Sequence, residues 1–206
     1  RKHKNTFTIP QFGSISDGLL YIPKFKDGIK IKLHRDIVGK IGKMSISKTP
    51  TGKYYVSIFT EQIIDEIPKT GKKVGIDLGI KDFVITSDNK KFKNNRYTKK
   101  YAKKLKKAQQ HLSRKQKGSN GFEKQKLKVA KIHEKIGSCR LDTLHKVSHK
   151  LVNEFDVIVC EDLNVKGMIK NHKLSKHIAD ASWGTFVRLL QYKWDWYGKE
   201  LVKVNR

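Results

Sequence analysis

Asp77 and Glu161 are the two residues of this sequence whose type and setting point most directly to chemistry. Asp77 stands alone inside KKVGIDLGIKDFVIT (72–86), an apolar, glycine-flanked run with the character of a strand. Glu161 lies near the end of FDVIVCEDLNV (155–165), a short β-rich run that ends in acids. A carboxylate inside an apolar strand is costly unless something balances its charge. Taken singly, Asp77 also reads as a strand-end aspartate and Glu161 as a capping acid. On neighbouring strands the two would repel, and neither would stay ionised without a cation. Hard oxygen donors of this kind suit Mg²⁺ or Mn²⁺. Two such ions ~4 Å apart activate a water and stabilise the leaving oxygen in phosphodiester hydrolysis. With a period of two, Val157, Val159 and Glu161 share one face of their strand, while Ile158, Cys160 and Asp162 share the other. On a regular strand, therefore, only one of Glu161 and Asp162 can face Asp77.

The elements that must position this pair follow from the pattern around them. Strands are predicted over 74–80 and 82–87, with a short third one over 88–92. From residue 97 the period changes. Tyr101, Leu105, Ala108 and Leu112 line one helical face, and GSNG (118–121) then breaks the helix. Val129, Ile132, Ile136 and Cys139, followed by Leu141, Leu144, Leu151 and Phe155, mark a second long helix, so that the two form a hairpin. After the strand bearing Glu161, Asp180 or Ser182 can cap a helix striped by Trp183, Phe186, Leu190, Trp194 and Tyr197. LVKVN (201–205) reads as one more strand. Three strands, a helical insert, a strand, a helix and a strand is the order of an RNase H-like fold, in which the first and fourth strands are neighbours. This predicts a mixed α/β domain over 71–206 with an insert over about 97–153. Residues 1–70 differ: 18–25, 29–35, 40–49 and 53–61 read as strands of an all-β, barrel-like segment, with a hairpin turn at Thr49-Pro50-Thr51-Gly52.

Charge sets the partner class. The 206 residues carry 46 Lys+Arg against 19 Asp+Glu, a net +27, and an excess that large self-repels unless a polyanion is bound. It is also uneven, because residues 90–150 hold 21 Lys+Arg and 3 acids. Clustering on a helical insert is what a nucleic-acid track requires. Lys103, Lys107, Arg114, Lys124, Lys128 and Lys131 are its candidate backbone contacts. The 37% apolar fraction lies above the disordered range. Two cysteines, Cys139 and Cys160, in no CxxC pattern leave no cysteine-based zinc site in this chain and favour a reducing, cytoplasmic setting. No apolar run is long enough for a membrane span, so no membrane partner is expected. The chain starts on Arg1, which implies a natural start upstream.

GIDLG alone resembles several families, including sugar kinases and chaperone ATPases, so an ATPase of the same fold is one alternative. Those enzymes need a second glycine-rich phosphate loop, and none follows here. The combination is more specific. VGIDLGIKDF, the hairpin with SRKQKGSNGFEKQK, SCRLDTLHKVSHKLV, VIVCEDLNVKGM and WGTFVRLLQYKWDWYGKEL together resemble the TnpB (OrfB) proteins of bacterial and archaeal insertion sequences. The resemblance runs from about residue 15, where LYIPKF, HR…GKI and TGKYYVSI resemble strands of that family's wedge domain. It implies an Mg²⁺-dependent DNA endonuclease with a RuvC-like nuclease domain. Such a protein is guided by an RNA from the element's end, which pairs with target DNA while protein holds the backbones. It would work in the prokaryotic cytoplasm, on the nucleoid when bound to DNA.

By the same resemblance, Asp77 is the first nuclease acid and Glu161 the second. The family's third acid follows a four-cysteine zinc ribbon that would begin where this chain stops, which implies a chain cut short at both ends and inactive by itself. A cleavage-incompetent, RNA-guided repressor is the other alternative. Asp195, between Trp194 and Trp196, is a poor substitute for the third acid because its position on the helix is an exposed one.

Overall fold

The computed structural model describes residues 5–171 and 174–205. It divides into two compact units, Arg1–Ile64 and Asp65–Arg206.

The first unit is all-β. β1 (Thr6–Ile9), β5 (Lys40–Lys48) and β6 (Tyr54–Glu61) form one antiparallel sheet, and β2 (Ser14–Ser16), β3 (Leu19–Ile22) and β4 (Phe25–Lys30) form another. Ile9, Leu20, Ile22 and Met44 are its buried centre. β5 and β6 are joined through Thr49–Gly52, where Gly52 at φ 83° makes the turn. The sequence pattern misleads at two places. The run 18–25 is not one strand: Pro23 and Lys24 turn the chain between β3 and β4, with Lys24 at φ 76° in a position a type II turn normally gives to glycine. The run 29–35 is not a strand beyond Lys30, and 31–39 forms neither strand nor helix.

The second unit is mixed α/β. Its sheet contains β7 (Lys73–Asp77), β8 (Asp82–Thr86), β9 (Lys91–Lys93), β10 (Val157–Glu161) and β11 (Glu200–Val204), in the order β11-β10-β7-β8-β9. β8 runs antiparallel to both its neighbours, β7 and β9, whereas β7, β10 and β11 run parallel. Between β9 and β10 lie α1 (Tyr97–Ser113) and α2 (Asn120–Glu154). Between β10 and β11 come α3 (Val165–Met168), α4 (Ser175–Ala181) and α5 (Trp183–Trp196). Ser119 starts α2 by accepting a hydrogen bond from the Phe122 amide at 3.1 Å.

One face of the sheet is covered by the stripes of α2 and α5. Val74, Ile76, Ile158 and Cys160 meet Leu144, Leu151, Phe186, Leu190 and Trp194, all buried. In β8 the register slips between Asp82 and Val84, and consecutive Phe83 and Val84 are both buried, as a bulge allows. Leu141 is off the buried stripe of α2, 45% exposed. Asp180 does not cap α5. Its carboxylate instead accepts from the amide and hydroxyl of Thr98 in the first turn of α1 and pairs with Arg140 at 2.7 Å. Ser182, at φ 56°, precedes α5 without a side-chain capping bond.

At the opposite end of the sheet Asp156 ties several chain segments together. Its carboxylate accepts from the amides of Thr70 (2.8 Å) and Gly71 (2.6 Å) and pairs with Lys199 at 3.1 Å. Its carbonyl accepts from Trp194 Nε1 and the Glu200 amide. Lys199 also donates to the carbonyls of Val152 and Phe155, satisfying the C-terminal end of α2. Burial pushes the Asp156 carboxyl up, but the Lys199 ammonium and the Gly71 and Thr70 amides outweigh it, so the group titrates below the ordinary carboxylate range.

Lys193 is a second buried cation, and among the described residues its hydrogen bonds go to neutral oxygens. It is 8% exposed and donates to the His145 carbonyl (3.0 Å) and the Ser148 hydroxyl (2.8 Å). Burial holds its ammonium below the ordinary 10.5. Between that lowered value and 10.5 the unfolded chain binds more protons than the folded one, so stability rises with pH across this window. The Lys193→Met variant is expected to lose that alkaline rise. Because Ser148 still donates to the His145 carbonyl, the same variant is expected to gain about 1 kcal/mol near neutrality. Thermal unfolding at pH 7 and pH 10 checks both.

Candidate nuclease site

Asp77 and Glu161 are the last residues of β7 and β10, which are adjacent and parallel. The final matched couple is Cys160↔Ile76. One step further along the same register Glu161 stands opposite Asp77. Ile76 and Cys160 turn into the helix-covered core, and alternation sends the two acids to the other face. Asp77 is exposed and Glu161 half-buried. The register that binds Glu161 to Val204 of β11 also fixes it from the other side. Asp162 lies outside the strand, exposed, with its amide donated to the Val204 carbonyl. Of the two neighbouring acids, then, Glu161 is the one on Asp77's face.

The turn after Asp77 is held closely. Gly79 sits against the backbone of β8, where an added Cβ would come within 2.7 Å of the Asp82 carbonyl oxygen. The next carbonyl, that of Ile80, accepts from Asn94 Nδ2 (2.9 Å) and from Arg96 Nη2 (3.4 Å). Cys160 is not a nucleophile here, since burial pushes its thiol up. Among the described residues, no group of three His, Cys, Asp or Glu side chains is placed to hold a metal ion. Asp195 is exposed and accepts from Gln191 at 3.0 Å.

The basic candidates fall into two sets. Lys107 of α1 and Lys128 and Lys131 of α2 line a groove of about 490 Å³ between the two helices. Lys103, Arg114 and Lys124 are exposed but lie outside that lining. Sequence reasoning missed Lys104, His111 and Lys135, which also line the groove. Their signal was present in the spacing: 104, 107 and 111 on one helix, and 128, 131 and 135 on the other, step by 3 and 4 along one face. Tyr101, Ala108 and Ile132 form the apolar floor. Among the described residues no helix is long and apolar enough to cross a membrane.

The family model OrfB_IS605, described as "Probable transposase", matches residues 54–180. Two similar proteins carry the name "Putative RNA-guided DNA endonuclease". One, from Streptomyces pristinaespiralis, is 40% identical over 163 residues, covering 79% of this chain and 40% of that protein. The other, InsQ of Escherichia coli K12, is 30% identical over 222 residues, covering 99% of this chain and 55% of that protein. The chain thus spans about half the length of the curated relatives it matches. Among solved structures, a chain of the Cas12f1-sgRNA-target DNA complex superposes with a TM-score of 0.51 at 15% identity, over 81% of this chain and 36% of that one.

Proposed function

Since the chain belongs to the OrfB family of insertion-sequence proteins, we propose that it carries the nuclease centre of an RNA-guided DNA endonuclease, with Asp77 and Glu161 as its metal-binding carboxylates. The observation that carries this reading is the β7–β10 register, which ends on an acid in each of two adjacent parallel strands. A five-stranded sheet whose first three strands are antiparallel and whose fourth lies beside the first supports an RNase H-like, RuvC-type domain. The all-β unit before it corresponds to the wedge segment.

The donor chemistry fits a magnesium ion, which takes one or two carboxylates and fills its remaining positions with water and phosphate oxygens. The chemistry such an ion supplies is Lewis-acid stabilisation of the charge that builds on a phosphodiester as it is cut. The chain's own residues do the rest. Asp77 and Glu161 project from fixed strand ends and need little reorganisation to keep their ligand positions. The lysine groove of the α1–α2 hairpin holds nucleic-acid backbone by charge without reading sequence, leaving base pairing to choose the target. Guide RNA and target DNA are the partners this implies.

Two experiments test the reading. The whole protein, assembled with its guide RNA, is expected to cut a matching DNA in Mg²⁺, to stop on addition of EDTA, and to resume when Mg²⁺ is restored. Cleavage that EDTA leaves untouched would overturn the metal assignment. Separately, replacing Lys107, Lys128 and Lys131 with Gln is expected to weaken binding to nucleic acid of any sequence. The slope of log affinity against log salt should fall by ~2–3, given ~0.7–0.9 per phosphate contact. An unchanged slope would remove these lysines from the interface.

A further inference from the structure

A second basic concavity lies away from the lysine groove, at the same end of the sheet as the two carboxylates. β9 runs parallel to β7, because each is antiparallel to β8, so its C-terminal residue Lys93 emerges at the end where Asp77 and Glu161 emerge. Three residues on, Arg96 opens α1 at φ 44° and donates to the Ile80 carbonyl, in the turn that directly follows Asp77. Ile80 is three residues from Asp77, at most ~11 Å of extended chain. The side chain of Arg96 is therefore held beside the candidate site by the main chain that carries it.

The concavity has a volume of about 240 Å³ and is lined by Arg96, Thr98, Lys99, Lys176, His177 and Asp180. Three of the six are permanent cations and one is a histidine. The single acid is already committed: Asp180 accepts from the Thr98 amide and hydroxyl and pairs with Arg140. Its charge is answered from behind, and the cations at the front are left to face whatever enters. Lys99, Lys176 and His177 are exposed, so an anion reaches them without any rearrangement of the core. The Thr98 amide is occupied, so recognition falls to the side chains.

We propose that this pocket binds a backbone phosphate of the DNA strand that enters the Asp77–Glu161 site, a few nucleotides from the bond to be cut. The inference rests on the nuclease reading for the identity of the ligand. Arg96 supplies a planar fork for the phosphate oxygens, and Lys99 and Lys176 supply point charges from two different elements. The phosphate's hold on α1 and α4 together fixes the strand's direction across the sheet end, which the diffuse charge of the hairpin groove cannot do. Arg96, Lys99 and Lys176 act as positioning residues in this scheme and touch no reacting atom.

The test uses the 206-residue chain in ¹⁵N-labelled form, without divalent ions, titrated with thymidine 3′,5′-bisphosphate and in parallel with inorganic phosphate. Amide shifts are expected to concentrate on Thr98, Lys99 and His177, with the nucleotide binding tighter than phosphate. The double variant Lys99→Ala/Lys176→Ala is expected to weaken that response about tenfold or more, the scale of a lost charge-assisted hydrogen bond, while the remaining spectrum stays put. Shifts spread along the α1–α2 lysines with none at the pocket would overturn the proposal. Equal responses to nucleotide and inorganic phosphate would reduce it to a general anion pocket and remove the DNA assignment. The Asp77→Ala chain serves as the control. If its pocket shifts persist while the whole protein carrying Asp77→Ala still cleaves, the nuclease reading fails and the pocket does not. If the shifts are absent while that variant is dead, the pocket alone fails.

Discussion

Asp77→Ala in the whole protein is expected to abolish DNA cleavage, by at least about a thousandfold, which corresponds to ~4 kcal/mol of transition-state stabilisation. The reason is local. Asp77 ends β7 on the open face and its partner Glu161 ends β10 one register step past Cys160↔Ile76, so in the proposed site removing either acid takes away one of the two carboxylates that would fix the ion against the phosphodiester. The substitution costs little in folding, because Asp77 is exposed while the core residues on either side of it, Ile76 and Leu78, are untouched. Guide-RNA binding, in which the proposed reading gives Asp77 no part, should survive. Gel-shift and cleavage assays on the same preparation separate the two effects. Asp77→Asn serves as a stricter version, since it keeps the volume and removes only the charge. Cleavage within tenfold of the parent in either variant would refute the assignment. Glu161→Gln should match it, whereas Asp162→Asn should not, because Asp162 lies beyond the strand.

Trp194→Ala is expected to cost about 3–5 kcal/mol of stability, the usual range for emptying a buried tryptophan site. Against a total of 5–15 kcal/mol this is a large share, and it lowers the melting temperature by roughly 6–20 °C in a chain of this size. Trp194 is fully buried and packs with Phe186, Leu190, Leu151 and the sheet residue Ile158 in one core. Its Nε1 also donates to the Asp156 carbonyl at 3.2 Å. The variant therefore loses packing at the centre and a tie at the end of the sheet where β7, β10 and β11 begin. Trp196, two residues on and 53% exposed, touches Tyr192 edge-on at 4.7 Å. Its replacement by Ala should stay within about 1 kcal/mol. Calorimetry on the pair is the check, and near-equal losses would mean that the stripe of α5 has been placed on the wrong face.

That stripe was readable in advance because Trp183, Phe186, Leu190 and Trp194 repeat at helical spacing and all are apolar. The strand carrying Glu161 was readable for a similar reason, as a short apolar run closed by an acid; the one carrying Asp77 was expected over 74–80 and ends at Asp77 instead. What stayed hidden depended on partners far away in sequence. Lys193 shares the buried face with Phe186 and Leu190, yet a lysine in a stripe reads as exposed unless the carbonyl and hydroxyl that receive it, on His145 and Ser148, are known. Asp180 looked like a cap for the helix three residues ahead, but its target is Thr98, more than eighty residues back. In the β unit, β1 and β2 are only 4 and 3 residues long, too short for their alternation to stand out. β4 ends at Lys30, inside the alternating run IKIKLHR. Within the basic insert the sequence located the charge, while the choice of Lys107, Lys128 and Lys131 over Lys103, Arg114 and Lys124 required knowing which sides of the two helices meet.

α2 continues unbroken for 35 residues, a rod of ~52 Å. One tip bears the hairpin turn, and the other is clamped where Lys199 closes on the carbonyls of Val152 and Phe155. Such a rod works as a lever arm. In the proposed reading, a duplex leaning on its basic flank would exert torque at the clamped foot, beside the roots of β7, β10 and β11, and away from the acids at the far ends of β7 and β10. Well inside the arm stands Gly137, where an added Cβ would meet open space; a glycine in a helix interior costs the arm ~1 kcal/mol relative to alanine.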